Sequence, residues 1–180
     1  LNIYLLGSRD SDHESNNYNY KYDTLTDTYT KLTDIPFDFS YSSVVAVGTD
    51  IYILGGEANK NNQKYNYKYD TLTDTYTKLT DIPFKFEGTN SAVAIDDDVY
   101  LFNSSYYASE GSYNYKYDTL TDIYTRLSDI PFDFTGGLSA SINKDIYLFD
   151  YNNEYKYNTD TDTYIKLADL PESVGDGGAV

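Results

Sequence analysis

The sequence predicts an all-β protein built from four copies of one four-stranded unit, and three observations carry that reading. The stretch Asn19–Phe37 (NYKYDTLTDTYTKLTDIPF) recurs unchanged at Asn66–Phe84. It recurs at Asn114–Phe132 with changes only at Ile123, Arg126 and Ser128, and more loosely at Glu154–Glu172. The prolines Pro36, Pro83, Pro131 and Pro171 mark the period: 47 residues (36 to 83), 48 (83 to 131) and 40 (131 to 171). A period of this size means one supersecondary unit repeated along the chain. The composition is strand-like: 23 Tyr and 8 Phe are present, and no long apolar stripe of helical period appears.

The second repeat shows each element in order. Ser43–Val47 (SVVAV) is a short apolar run suited to a strand buried on both faces. Gly48–Asp50 has turn chemistry. Ile51–Leu54 (IYIL) is a second apolar strand, ended by Gly55-Gly56, and a polar loop follows to Gln63. Tyr65–Tyr69 alternates Tyr-Asn-Tyr-Lys-Tyr, which puts three tyrosines on one face. Asp70–Asp74 (DTLTD) is a turn, because Asp and Thr side chains can bond nearby backbone groups. Thr75–Leu79 is the fourth strand, and Pro83 closes the unit.

The same pieces recur elsewhere. The first strand type is Ser43–Val47, Ala92–Ile95, Leu138–Ile142 and, at the end, Gly177–Val180. The second is Ile3–Leu6, Ile51–Leu54, Val99–Phe102 and Ile146–Phe149. The third runs through Tyr20–Tyr22, Tyr67–Tyr69, Tyr115–Tyr117 and Tyr155–Tyr157, and the fourth surrounds Tyr29, Tyr76, Tyr124 and Tyr164. Four short strands per repeat, at this period, select a β-propeller over a sandwich or barrel. The expected architecture is one domain over residues 1–180, with repeats at about 1–42, 43–90, 91–137 and 138–180. Four antiparallel strands form each blade, and the C-terminal strand Gly177–Val180 fills the empty place beside Ile3–Leu6. Deletion of residues 174–180 is then expected to destabilise the fold.

The pattern resembles the kelch repeat. Ile51-Tyr52-Ile53-Leu54-Gly55-Gly56 fits the family's apolar strand and glycine pair. Tyr69-Asp70 followed by Tyr76 fits its Tyr-Asp and the aromatic seven residues beyond the tyrosine, with Tyr in place of the usual Trp. The other repeats depart at the glycine pair, with Gly7-Ser8, Asn103-Ser104 and Asp150-Tyr151. The resemblance implies a four-bladed kelch-like propeller. It also brings in a copper oxidase, galactose oxidase, whose chemistry needs histidine ligands and a Tyr–Cys crosslink. One His and no Cys exclude that chemistry here.

The net charge of −16 argues against nucleic acid and anionic membranes as partners, since both recruit cationic patches. No run approaches the ~20 apolar residues of a membrane helix. The start, LNIYLLGS, reads as a strand without the basic flank of a signal peptide, and the missing initiator Met points to a processed or excised chain. Without cysteine there is neither a disulfide framework nor a thiol nucleophile.

Diversity lies in the loops between second and third strands: Ser8–Asn17, Glu57–Lys64, Asn103–Ser112 and Asp150–Asn153. The connectors Phe37–Ser42, Phe84–Asn90, Phe132–Gly137 and Glu172–Asp176 emerge at the same end of an antiparallel blade. Such an edge suits recognition on a rigid scaffold. Its aromatics are Phe39, Tyr41, Phe86, Tyr106, Tyr107, Phe134 and Tyr151; the phenylalanines of Pro-Phe-x-Phe read as staples between blades, the tyrosines as contact groups. The expected ligand-binding residues are Arg9, His13, Tyr41, Glu57, Tyr106, Tyr107 and Tyr151. No catalytic residue, metal or cofactor is expected. Asn158, Asp160 and Asp162 alternate like a calcium loop but lack its Gly and distal Glu, and Asp96–Asp98 reads as a polar turn.

The function expected is that of a non-catalytic binding or structural module for a protein or glycan, in the manner of a surface adhesin, lectin or viral (phage) tail component, extracellular or on a virion. The alternatives are a carbohydrate-active hydrolase using a carboxylate pair, or a fragment that assembles into a larger propeller. Either a monomer or part of a larger assembly fits the sequence.

Overall fold

The computed structural model describes residues 2–9, 15–37, 39, 41–56, 62–86, 91–103, 112–134, 137–151 and 153–172. Fifteen strands run through them: β1 (Asn2–Arg9), β2 (Ser15–Asp23), β3 (Thr28–Lys31), β4 (Ser43–Val47), β5 (Asp50–Leu54), β6 (Asn66–Asp70), β7 (Thr75–Lys78), β8 (Ser91–Ile95), β9 (Asp98–Phe102), β10 (Asn114–Asp118), β11 (Ile123–Arg126), β12 (Leu138–Ile142), β13 (Asp145–Asp150), β14 (Asn153–Asn158) and β15 (Thr163–Lys166). They form four sheets in sequence order: β1-β2-β3, β4-β5-β6-β7, β8-β9-β10-β11 and β12-β13-β14-β15. The strand pairs described in register are antiparallel, as short tight connections require. The three later sheets have the four strands expected of a propeller blade. The first has three, and the expected fourth, Gly177–Val180, lies outside the described residues.

By internal contacts the chain divides into two compact units. The first comprises Leu1–Val44 and Thr49–Gly88, the second Val45–Gly48 and Thr89–Val180. In the first unit Ile51, Ile53 and Tyr69 are buried on one face of the second sheet, and Tyr52 and Leu54 on the other. Burial on both faces explains why β5 reads as a continuous apolar run rather than an alternation. In the second unit Tyr100, Phe102, Phe134, Ile146, Leu148 and Tyr157 pack into one apolar cluster.

The DTLTD turn is built from its own side chains. The Asp70 carboxylate accepts the amides of Leu72 (2.8 Å) and Thr73 (3.1 Å), and Asp118 does the same for Leu120 and Thr121. These amide bonds hold both carboxylates below the usual carboxylate range. The last residue of each turn, Asp27, Asp74, Asp122 or Asp162, has φ between 52° and 58°, a left-handed conformation that Asp tolerates.

The glycine pair has a steric cause. Gly55 and Gly56 have φ of 68° and 127°, and a Cβ on Gly55 would lie 1.7 Å from the Phe86 carbonyl oxygen. The close approach lets the Gly56 amide donate to that same oxygen at 3.0 Å. In two of the three repeats without the pair the strand runs on: β1 continues through a bulge at Leu6/Ser8 to Arg9, and β13 continues to Asp150, while β9 ends at Phe102 just before Asn103.

Candidate functional site

Two structural surfaces matter for function: the interface one repeat makes with the next, and the edge bearing the variable loops.

The interface is a repeated latch. In the first unit the Tyr69 hydroxyl donates to Asp74 Oδ1 at 2.7 Å, and the Tyr69 and Tyr76 rings lie 4.7 Å apart across the strands. The Thr33 amide and hydroxyl, from the preceding repeat, both reach the Asp74 carboxylate at 3.0 Å. Asn19 Nδ2 donates to the Tyr76 hydroxyl at 2.9 Å, Tyr4 packs edge-on to Tyr69, and Phe37 lies 4.8 Å from Tyr67.

The second unit repeats the set. Tyr157 donates to Asp162, the Ser128 amide and hydroxyl donate to Asp162, and Asn114 Nδ2 donates to the Tyr164 hydroxyl at 2.9 Å. Phe132 stacks on Tyr155 at 4.3 Å. Phe37 and Phe132, first members of Pro-Phe-x-Phe, therefore staple one repeat to the next, and the second members Phe86 and Phe134 are buried. Burial raises Tyr69, Tyr76, Tyr157 and Tyr164 far above the ordinary phenol value. Asp74 is lowered despite its desolvation, because Tyr69 and Thr33 donate to it.

This latch absorbs residues that sequence reading had weighed for calcium. Asn158 Oδ1 accepts the Thr161 amide and hydroxyl, and Asp162 is the latch carboxylate. Among the described residues no group of three or more His, Cys, Asp or Glu could hold a metal ion.

At the variable edge the structure places three of the expected residues. Arg9 is the end of β1 and pairs with Ser15, so the first loop is shorter than Ser8–Asn17: the bulge carries pairing past the glycine. Tyr41 and Tyr151 are half exposed, at 50% and 51%, with φ of 55° and 46°. Asp150 pairs with Asn153, leaving a two-residue connection that begins with Tyr151. At comparable tight turns the chain uses Gly48, Asp96 and Asn143 for positive φ. Tyr at such a position costs backbone energy that those residues avoid. Sequence reading missed this signal, which lies in the φ angle and not in residue type. His13, Glu57, Tyr106 and Tyr107 lie outside the described residues.

Basic side chains are engaged close to home. Lys68, Lys116 and Lys156 bridge to Asp50, Asp98 and Asp145 at 3.1–3.2 Å, Arg126 pairs with Asp129, and Lys144 pairs with Asp96. No helix among the described residues is long and apolar enough to cross a membrane.

The described residues form four antiparallel sheets in sequence order, the build of β-propeller blades, with such latches between the first and second and between the third and fourth. Residues 38–83 match the family model described as the Kelch motif. Among solved structures the chain is similar to one titled "Structure of YjhT", with a TM-score of 0.77 and 16% identity, over 98% of this chain and 66% of that one. This chain thus spans just under two thirds of that structure's length. No match was found among curated proteins.

Proposed function

We propose that this chain is a non-catalytic recognition module that presents its variable-loop edge to a glycan or protein. The observation that carries the reading is the pair Tyr41 and Tyr151. Both are exposed aromatics on left-handed backbone, where the chain's other turns use Gly, Asp or Asn. A residue kept at a conformational cost of roughly 1–3 kcal/mol is there for its side chain, and an exposed phenol stacks on sugar rings or anchors a partner. The carboxylates support the reading from the other side. Asp70, Asp74, Asp118 and Asp162 accept hydrogen bonds that hold turns and repeats together, which is a structural task and not that of a catalytic pair.

The test is a glycan array read beside a panel of nitrophenyl glycosides, with Tyr41→Ser and Tyr151→Ser as variants. Binding that falls tenfold or more in either variant, with no turnover, is the expected result. Turnover abolished by changing one carboxylate overturns the reading in favour of a hydrolase.

The ring arrangement is a separate matter. Closure by Gly177–Val180 competes with membership of a larger propeller.

A further inference from the structure

We propose that the tyrosine–aspartate pairs of the repeats are one-electron redox sites: the phenol gives its electron to an oxidant of the peroxyl-radical class and its proton to the aspartate beside it. The proposal is independent of the recognition edge.

Composition directs oxidation to tyrosine. Cysteine and methionine are the usual side chains that oxidants attack. This chain has neither, and no tryptophan, but it has 23 tyrosines. A one-electron oxidant that meets the chain therefore draws its electron from a phenol.

Loss of an electron turns a phenol into a strong acid, so oxidation is easy where a base stands ready to take the proton. Each repeat holds that base at hydrogen-bond distance. The hydroxyls of Tyr22, Tyr69, Tyr117 and Tyr157 donate to Oδ1 of Asp27, Asp74, Asp122 and Asp162 at 2.7–2.8 Å. An ionised carboxylate is an acceptor only, with room for the proton. A second phenol, Tyr29, Tyr76, Tyr124 or Tyr164, lies 4.6–4.8 Å from the first, ring centre to ring centre.

Within a pair the hydrogen bonds set which phenol gives up its electron. Asn19 and Asn114 donate their amides to the hydroxyl oxygens of Tyr76 and Tyr164, which withdraws electron density from those rings. Tyr69 and Tyr157 face an acceptor carboxylate instead, so the radical settles on them. Both are fully buried, which keeps such a radical from coupling with one on another chain.

The step balances. Tyr69 loses one electron, its Oη–H bond breaks, and the proton bonds to Asp74 Oδ1. The peroxyl radical gains the electron and becomes a peroxide anion, which takes a proton from water. A reductant of the ascorbate class returns an electron to the phenoxyl radical, and Asp74 returns the proton.

The experiment exposes the whole chain to azide radicals from pulse radiolysis, which oxidise phenols by one electron. Phenoxyl absorbance follows the radicals in time, and freeze-quenched samples are read by electron paramagnetic resonance. The expected result is a phenoxyl population that outlasts the radicals of the urea-unfolded chain at least tenfold and shows a proton coupling lost in heavy water. Asp74→Asn with Asp162→Asn should at least halve that population. Tyr69→Phe with Tyr157→Phe, which keeps ring packing and carboxylates, should do the same. A folded asparagine variant that retains the parent's long-lived population overturns the proposal. So does a parent whose radicals decay as fast as those of the unfolded chain, or one without the exchangeable coupling, which needs no variant to measure. If the asparagine pair lowers the population and the phenylalanine pair leaves it unchanged, the carboxylates act through the fold alone and the proposal fails.

Discussion

Thr33 holds Asp74 from the neighbouring repeat by both its amide and its hydroxyl, each at 3.0 Å, while Tyr69 holds the same carboxylate from within the sheet at 2.7 Å. One carboxylate therefore closes a turn, orients a buried phenol and ties two repeats. Asp74→Asn keeps a residue tolerant of left-handed backbone but removes the charge. Hydrogen bonds to charged groups contribute ~1.5–3 kcal/mol, discounted here for solvent access, so the expected loss is about 1 kcal/mol. Thr33→Val removes the hydroxyl alone and costs about half as much. A double-mutant cycle read by urea unfolding should show coupling of at least about 0.5 kcal/mol. Strict additivity would mean that the bonds contribute nothing to stability.

Tyr69 is fully buried, with Tyr4 at its edge and Tyr76 across the strand. Truncating such an aromatic leaves a cavity, and Tyr69→Ala is expected to cost roughly 3–5 kcal/mol. Tyr69→Phe keeps the packing and strips one donor from Asp74, for roughly 1 kcal/mol. The order of the two midpoints in chemical denaturation is the check; similar midpoints for both would mean that the ring is not the structural element.

The strands and their order were legible because period-two alternation and a near-identical repeat leave little freedom: Ser43–Val47 and Leu138–Ile142 are β4 and β12 to the residue. Turn chemistry was equally plain in DTLTD. What stayed hidden was long-range. Nothing in the sequence alone says that Asp74 faces Thr33, 41 residues earlier, because that pairing is set by how sheets pack. The glycine pair was visible, but its cause, the Phe86 carbonyl lying against Gly55, was not. At the recognition edge residue type marked Tyr41 and Tyr151, while the strained backbone that distinguishes them appears only in three dimensions.

The pH profile follows from the directions of the shifts. Asp70, Asp74, Asp118 and Asp145 are held below their ordinary 3.8 in the folded protein. A depressed carboxylate stabilises fully above its unfolded value, and that contribution is lost as pH falls through the folded one. The urea midpoint of the parent should therefore drop more steeply below pH ~3.8 than that of Asp74→Asn. The buried phenols act at the other end. Tyr69, Tyr76, Tyr157 and Tyr164 are raised above 10.0, so their contribution is complete below pH 10 and lost above it. Absorbance at 295 nm should show the exposed tyrosines ionising first, and this group only as ellipticity is lost. A single smooth titration with the fold intact would contradict the burial.

Gly55 gives the sharpest steric test. Its φ of 68° is left-handed, and an added Cβ would sit 1.7 Å from the Phe86 carbonyl oxygen, which is backbone and cannot rotate aside. That oxygen also accepts the Gly56 amide, and the Phe86 amide donates to the Gln63 carbonyl, so moving it breaks a chain of bonds. Left-handed backbone alone costs a non-glycine residue ~1–2 kcal/mol, and the clash adds to it. Gly55→Ala is expected to destabilise by more than about 2 kcal/mol. Gly48 is the control. Its φ of 59° carries the same backbone cost, but nothing lies within 4 Å of an added Cβ, so Gly48→Ala should lose only the conformational part. Equal thermal shifts for the two alanines would show that the connector gives way freely, and the close approach of Phe86 would then not be what the glycine is for.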